Sequence, residues 1–280
     1  MSASAESRLE DWFARQGWQP EAFQRRAWAA YRRGESGLIH AATGSGKSLA
    51  AWGGPLIEGL DEARQGARSG GLRVVWITPL LALAGDTLAS LARAASGVGL
   101  DWRIDKRTGD TSSSARARQR RQPPAGLVTT PESLALLLSY RHAERQFANL
   151  RAVVVDEWHE LLGSKRGVQL ELCLARLRRL APGLRIWGLS ATLGNLEQAR
   201  DCLLGAATGA GQLIEGPPAR AIDIQSLLPP SEARFPWAGH LGTALLDGVI
   251  AALEGPGSRL LFTNTRAQAE RWFESLLRAR

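Results

Sequence analysis

The chain has 280 residues, 44% of them hydrophobic and 22% charged, with a formal net charge of +8. That length allows one large domain or two ordinary ones with no need of a covalent staple, and the composition is that of a soluble globular protein. No apolar run is long enough to span a bilayer, and the positive balance favours a polyanionic partner without identifying one.

The opening MSASAESRLE lacks the apolar region of a signal peptide. Short apolar runs then alternate with helical patterns: GLIHAA before KSLAAWGGPLIEGL, RVVWIT before PLLALAGDTLASLARAA, and GLVTT before PESLALLLSY. They continue as AVVVD before VQLELCLARLRRL and RIWGLS before NLEQARDCLL. This alternation predicts a parallel sheet with right-handed crossovers and helices on both faces. Residues 110–124, DTSSSARARQRRQPP, read as a short arginine-rich helix followed by a loop. Proline pairs and a lone strand-like stretch at 217–239 read as a domain boundary. One helix, one strand (RLLFTN) and one helix follow, so the expected layout is a domain over 1–216, a linker over 217–239 and a second element set over 240–280. Cys173 and Cys202 have no CxxC spacing, which suits packed or free thiols in a reducing cytoplasm.

Of 35 basic residues only Lys47, Lys106 and Lys165 are lysines, so a lysine here points to a need for its compact ammonium. Lys47 is the seventh residue of AATGSGKS, residues 41–48, between a predicted strand and a predicted helix. In that context glycines let backbone N–H groups crowd around phosphate oxygens, and the helix N-terminus adds partial positive charge. Lys47 would reach the outer phosphates of a bound nucleotide and Ser48 would ligate Mg²⁺. Ala41 replaces the first glycine of the strict pattern, and the plain alternative is a Gly-Ser turn with an incidental lysine. The run VVVDEWHE places Asp156 and Glu157 at the carboxyl end of another predicted strand, where open α/β sheets bind ligands. Asp156 can hold Mg²⁺, directly or through water, and Glu157 can orient the attacking water. The alternatives are an ordinary acidic turn, or a zinc site from Asp156, His159 and Glu160 that lacks further ligands and the HExxH spacing.

These residues resemble a superfamily 2 DExH-box helicase. AATGSGKS is similar to motif I, TPLLALA (78–84) to Ia, TTPESL (129–134) to Ib, DEWH (156–159) to II, SAT (190–192) to III and FTNTR (262–266) to IV. DEWHELLGSKRGVQLEL, GDT (109–111) and GLSATLGN look most like the large helicase-related (Lhr) family, and FARQGWQPEAFQRRAW like its bacterial ligase-associated DNA-damage branch. The resemblance implies a P-loop, RecA-like α/β fold with helices on both faces of a parallel sheet, followed by the first elements of a second RecA-like domain. It makes Gln24 the adenine reader and gives Thr43, Gly44, Ser45, Gly46, Lys47 and Ser48 the phosphates. Ser190, Thr192 and His159 would couple nucleotide state to the second domain. Without the family, Gln24 reads as a surface helix residue and Ser190 and Thr192 as a polar turn.

Nucleic acid, by resemblance single-stranded DNA in repair, would lie across other loops of the sheet. Thr78-Pro79 and Thr129-Thr130-Pro131 each end a strand and start a helix, a phosphate-binding arrangement or simply a good N-cap. Lys165 and Arg166 read as a compact basic loop, either a backbone contact or a solvated turn. Arg116, Arg118, Arg120 and Arg121 add to the basic footprint, and Trp102, Trp158 and Trp187 read as core before they read as base stackers. Motifs V and VI, with their arginine fingers, do not occur in the 280 residues. The expectation is therefore the ATP-binding half of a cytoplasmic helicase, or alternatively an ATP- and nucleic-acid-binding fragment with little turnover.

Overall fold

The computed structural model describes residues 4–66, 70–205, 211–218, 223–227, 245–254 and 257–279. The chain divides into two units, residues 1–220 and 221–280.

In the first unit, seven strands form one sheet: β1 (Gly37–His40), β2 (Val74–Ile77), β3 (Ile104–Arg107), β4 (Gly126–Thr129), β5 (Ala152–Val155), β6 (Arg185–Ser190) and β7 (Gln212–Glu215). Their order is β3-β4-β2-β5-β6-β1-β7 and every pairing is parallel. β2, β4 and β5 are buried at every position, as strands covered on both faces must be. The helices are α1 (Ala5–Arg15), α2 (Ala22–Arg32), α3 (Lys47–Arg64), α4 (Ala84–Gly97), α5 (Ser113–Arg121), α6 (Pro131–Ser139), α7 (Ala143–Phe147), α8 (Trp158–Leu161), α9 (Lys165–Leu180) and α10 (Leu196–Leu204). Two cores result. One gathers Trp28, Trp52, Trp76 and Trp187 with the helices α1 to α4, and the other packs Phe147, Trp158, Leu170 and Leu174 on the opposite face. Glu58 of α3 joins α2 and β6 by accepting from Tyr31 Oη at 2.7 Å and from Arg185 Nη1 at 2.9 Å.

Two sequence expectations change, and one strand falls where no apolar run announces it. Residues 79–83 are not helical from Pro79: a loop and one 3₁₀ turn (Leu81–Leu83) precede α4, with Thr78 Oγ1 donating to the Leu80 carbonyl at 3.3 Å. The strand β3 has no apolar alternation because Asp105 and Arg107 are buried with polar partners, Arg103 and Arg118 for the first and Gln119 for the second. Lys165 and Arg166 are not a loop. They open α9, whose N-cap Ser164 Oγ accepts from Gly167 N at 3.1 Å.

The second unit contains α11 (Leu246–Leu253) and α12 (Arg266–Arg278). The expected strand at 259–264 is not one: a strand needs a paired neighbour, and Leu260 and Phe262 are exposed. Thr265 instead caps α12, accepting from Gln268 N at 3.2 Å. Much of the expected linker, 219–222 and 228–239, lies outside the described residues. No helix among the described residues is long and apolar enough to cross a membrane. Cys173, buried, and Cys202, exposed, are free thiols.

Candidate active site

The loop after β1 turns on two glycines with positive φ, Gly44 at +80° and Gly46 at +87°, conformations that disfavour any residue with a Cβ. Gly46 is the N-cap of α3, so the loop delivers backbone N–H groups to a helix start. Ala41 costs nothing as a replacement for glycine: it is buried against Gly216, and its φ is not positive. Lys47 is 7% exposed and its Nζ donates to the Ala41 carbonyl at 2.8 Å, across the mouth of the loop. Burial holds its pKa below the usual lysine value, opposed by the charges of Glu157 and Asp156. Ser45 Oγ is buried without a hydrogen-bond partner among the described residues, a donor and acceptor with nothing to bond. Thr43, Gly44 and Ser48 lie on the open side, Thr43 and Ser48 exposed.

Gln24 reaches the same loop from α2. It is 3% exposed; its Nε2 donates to the Gly46 carbonyl at 3.0 Å, and its Oε1 accepts from Glu21 N at 2.9 Å. The surface-helix reading of Gln24 therefore fails: its amide ties the N-terminus of α2 to the phosphate loop.

Asp156 follows β5, two strands from β1. Trp76 of β2 donates from Nε1 to its Oδ2 at 3.2 Å, and Glu157 N donates to its Oδ1 at 3.0 Å. Burial raises its pKa, and the neighbouring Glu157 charge adds to that rise, while the Trp76 bond and Lys47 oppose it. Glu157 has φ +46°, the only positive φ at a non-glycine residue described. Such backbone is costly and persists where surroundings over-determine it, often at functional sites. Glu157 Oε2 is buried with no hydrogen-bond partner among the described residues and lies 3.5 Å from His159 Nδ1. That nitrogen is hydrogen bonded at 3.2 Å to Ser190 Oγ, at the end of β6. The Ser190 carbonyl accepts from Ala41 N at 3.1 Å, so β6 ends against the start of the phosphate loop. Thr192 is exposed just beyond. Trp76 has only a weak signal in the sequence, a tryptophan within the apolar run of β2, and nothing local ties it to Asp156.

Among the described residues no group of three or more His, Cys, Asp and Glu is arranged to hold a metal, Asp156, His159 and Glu160 included. One hydroxyl and one carboxylate suit Mg²⁺ instead, because that ion takes one or two protein ligands and fills the rest with phosphate oxygens and water.

The expected nucleic-acid contacts are more committed to the fold. Thr129 is fully buried and its Oγ1 donates to the Arg107 carbonyl at 2.6 Å. Thr130 Oγ1 caps α6, accepting from Ser133 N at 3.4 Å, and Pro131 is its first residue. Thr78 and Pro79 are buried after β2. Arg166 is paired with Glu132, its Nε donating to Oε1 at 2.5 Å, with both side chains exposed; Lys165 precedes it as the first residue of α9. Trp158 and Trp187 are buried in the two cores and offer no stacking face, while Trp102 is partly buried and meets Trp52 edge-on.

Comparison with known proteins gives one family. The model of the DEAD/DEAH box helicases matches residues 21–199. The ATP-dependent helicase Lhr-Core of Methanothermobacter thermautotrophicus is 34% identical over 274 residues, covering 94% of this chain and 32% of that protein. The Lhr helicase/uracil glycosylase of Escherichia coli is 32% identical over 289 residues, covering 93% of this chain and 19% of that protein. Among solved structures, Mycobacterium smegmatis helicase Lhr bound to ssDNA and AMP-PNP superposes with a TM-score of 0.75 at 31% identity, over 99% of this chain and 36% of that one. The chain thus spans about a third or less of the length of these relatives.

Proposed function

The chain belongs to the DEAD/DEAH box helicase family, and we propose that it is the ATP-binding part of a motor that moves along single-stranded DNA, acting in repair. The observation that carries this reading is one cluster: Lys47, Asp156, Glu157, His159 and Ser190 gathered at the carboxyl ends of β1, β5 and β6. Binding of the relative's structure to ssDNA and AMP-PNP supports both ligands.

Lys47 leaves the Ala41 carbonyl for the outer phosphates, where its ammonium stabilises charge on the transferring phosphoryl group. The N–H groups of 43–48 bind the inner phosphates, and Gln24 reads the adenine edge. Ser48 and Asp156 would hold Mg²⁺, which would supply charge that neutralises the phosphates. Glu157, with an uncommitted buried oxygen, orients the attacking water and takes its proton. His159, Ser190 and Thr192 carry the change in nucleotide state towards residues 240–280, with 217–239 as the linker from the domain of 1–216. Strand phosphates run over Thr78-Pro79 and Thr129-Thr130-Pro131, mainly on backbone N–H groups because the hydroxyls are engaged, and over Lys165 and Arg166.

Titration with a fluorescent ATP analogue in the presence of Mg²⁺ tests the reading. Wild type and Glu157→Gln should bind alike and Lys47→Ala at least about tenfold more weakly, given a lost charge beside the phosphates. Equal binding by wild type and Lys47→Ala would remove the phosphate-loop role.

A further inference from the structure

A second basic site lies at the other end of the sheet. A cleft of about 540 Å³ is lined by Arg120 and Arg121 at the end of α5 and by His142, Arg145, Gln146 and Asn149 on and beside α7. These segments precede β4 and β5, whereas the phosphate loop and the acidic pair follow β1 and β5. Because all strands run parallel, the cleft and the ATP site are separated by the length of the strands, four residues at roughly 3.3 Å each.

The charge arrangement of the cleft is unbalanced. No carboxylate lines it. Arg120, Arg121 and Arg145 make no hydrogen bond or ion pair with any described residue, unlike Arg118, which pairs with Asp105, and Arg116, which holds the carbonyls of Gly109 and Thr111. Gln146, half-buried, brings an amide whose Oε1 is buried and unpartnered among the described residues; turned over, it presents N–H donors to the cleft. Arg120, Arg121 and Arg145 are exposed like charges with no counter-charge in the lining, and an anion placed among them relieves their mutual repulsion. Pro123 is the one large apolar side chain in the lining, so a peptide would find little to anchor it, while guanidinium forks match phosphate oxygens.

We propose that this cleft binds phosphate groups of a nucleic-acid strand, a second contact remote from the ATP site that holds the strand outside the motor track. The inference rests on the reading of the chain as a nucleic-acid motor. In the 280-residue protein, Arg121→Glu/Arg145→Glu is compared with wild type by anisotropy of a labelled single-stranded DNA oligonucleotide across salt concentrations. The variant should bind at least about tenfold more weakly, and its salt slope should be shallower by roughly 1.4, that is about 0.7 for each of two phosphates released. Arg121→Lys/Arg145→Lys should recover most of both. The fluorescent ATP analogue should bind the charge-reversed variant as it binds wild type, which separates this site from the ATP site: a wild type that fails to bind the analogue sinks the motor reading, not this one. Unchanged DNA affinity and slope in the charge-reversed variant would overturn the proposal. So would a variant that loses only inorganic phosphate or only an oligo-glutamate peptide, each measured by calorimetry, since the ligand would then be free phosphate or an acidic protein.

Discussion

Gly46→Ala tests how tightly the phosphate loop is fitted to α2. Gly46 has φ +87° and ψ +24°, a left-handed conformation that carries about 1–2 kcal/mol for a residue with a Cβ. The new Cβ would stand 2.5 Å from Gln24 Nε2. A glutamine end usually swings aside easily. Here it is buried and bonded on both sides, to the Gly46 carbonyl and to Glu21 N, and each bond contributes about 1 kcal/mol. Losing both brings the destabilisation to about 3–4 kcal/mol. Gly44→Ala is the control, because Gly44 has φ +80° but open space where a Cβ would go, so only the conformational part, about 1–2 kcal/mol, applies. Urea unfolding followed by tryptophan fluorescence should therefore separate the two variants by about 2 kcal/mol, and a Gln24→Ala background should erase most of that gap. Equal midpoints for the two variants, or a gap that survives Gln24→Ala, would refute the reasoning.

Asp156→Asn should stabilise the protein in a pH-dependent way. The folded pKa of Asp156 is raised by burial, so between the unfolded value, about 3.9, and the folded one the native state holds more protons and stability falls as pH rises. Asparagine carries no such penalty. The advantage of the variant in urea midpoint should grow through that window and level off above it; a constant difference from pH 4 to 7 would contradict the cause given. Arg166→Ala should change stability by less than about 0.5 kcal/mol, because its pair with Glu132 is exposed, yet it should weaken single-stranded DNA binding in anisotropy. Trp158→Phe should cost about 2–3 kcal/mol in the same unfolding assay, since the indole is fully buried and its Nε1 donates to the Ala199 carbonyl at 2.9 Å.

The parallel sheet and the ATP loop were legible because they rest on patterns short enough to sit in one stretch: continuous apolar runs, each followed by a helical period, and a glycine pair before Lys47. β3 was not, since a strand whose charges are buried with partners from α5 and its flanks hides its periodicity. β7 was missed beside a segment read as a boundary; its half-exposed edge position shows no continuous apolar run. Lys165 and Arg166 open a helix rather than form a loop because Ser164 caps it, a start that no acidic residue in the first turn marks. Trp76, the second partner of Asp156, lies 80 residues away in sequence, and only the β2 to β5 pairing brings it there. The engagement of Thr129 with Arg107 likewise depends on the β3 to β4 register.

The proposed function requires the loop after β1 and the carboxylates after β5 to form one Mg-ATP site. Calorimetric titration of Mg-AMP-PNP into wild type, Lys47→Ala, Asp156→Asn and the double variant measures that directly. Two groups acting on the same phosphates should give a coupling of at least about 0.5 kcal/mol, the double variant losing a different amount from the two single losses combined. Losses that add to within about 0.3 kcal/mol would mean independent sites and contradict the account.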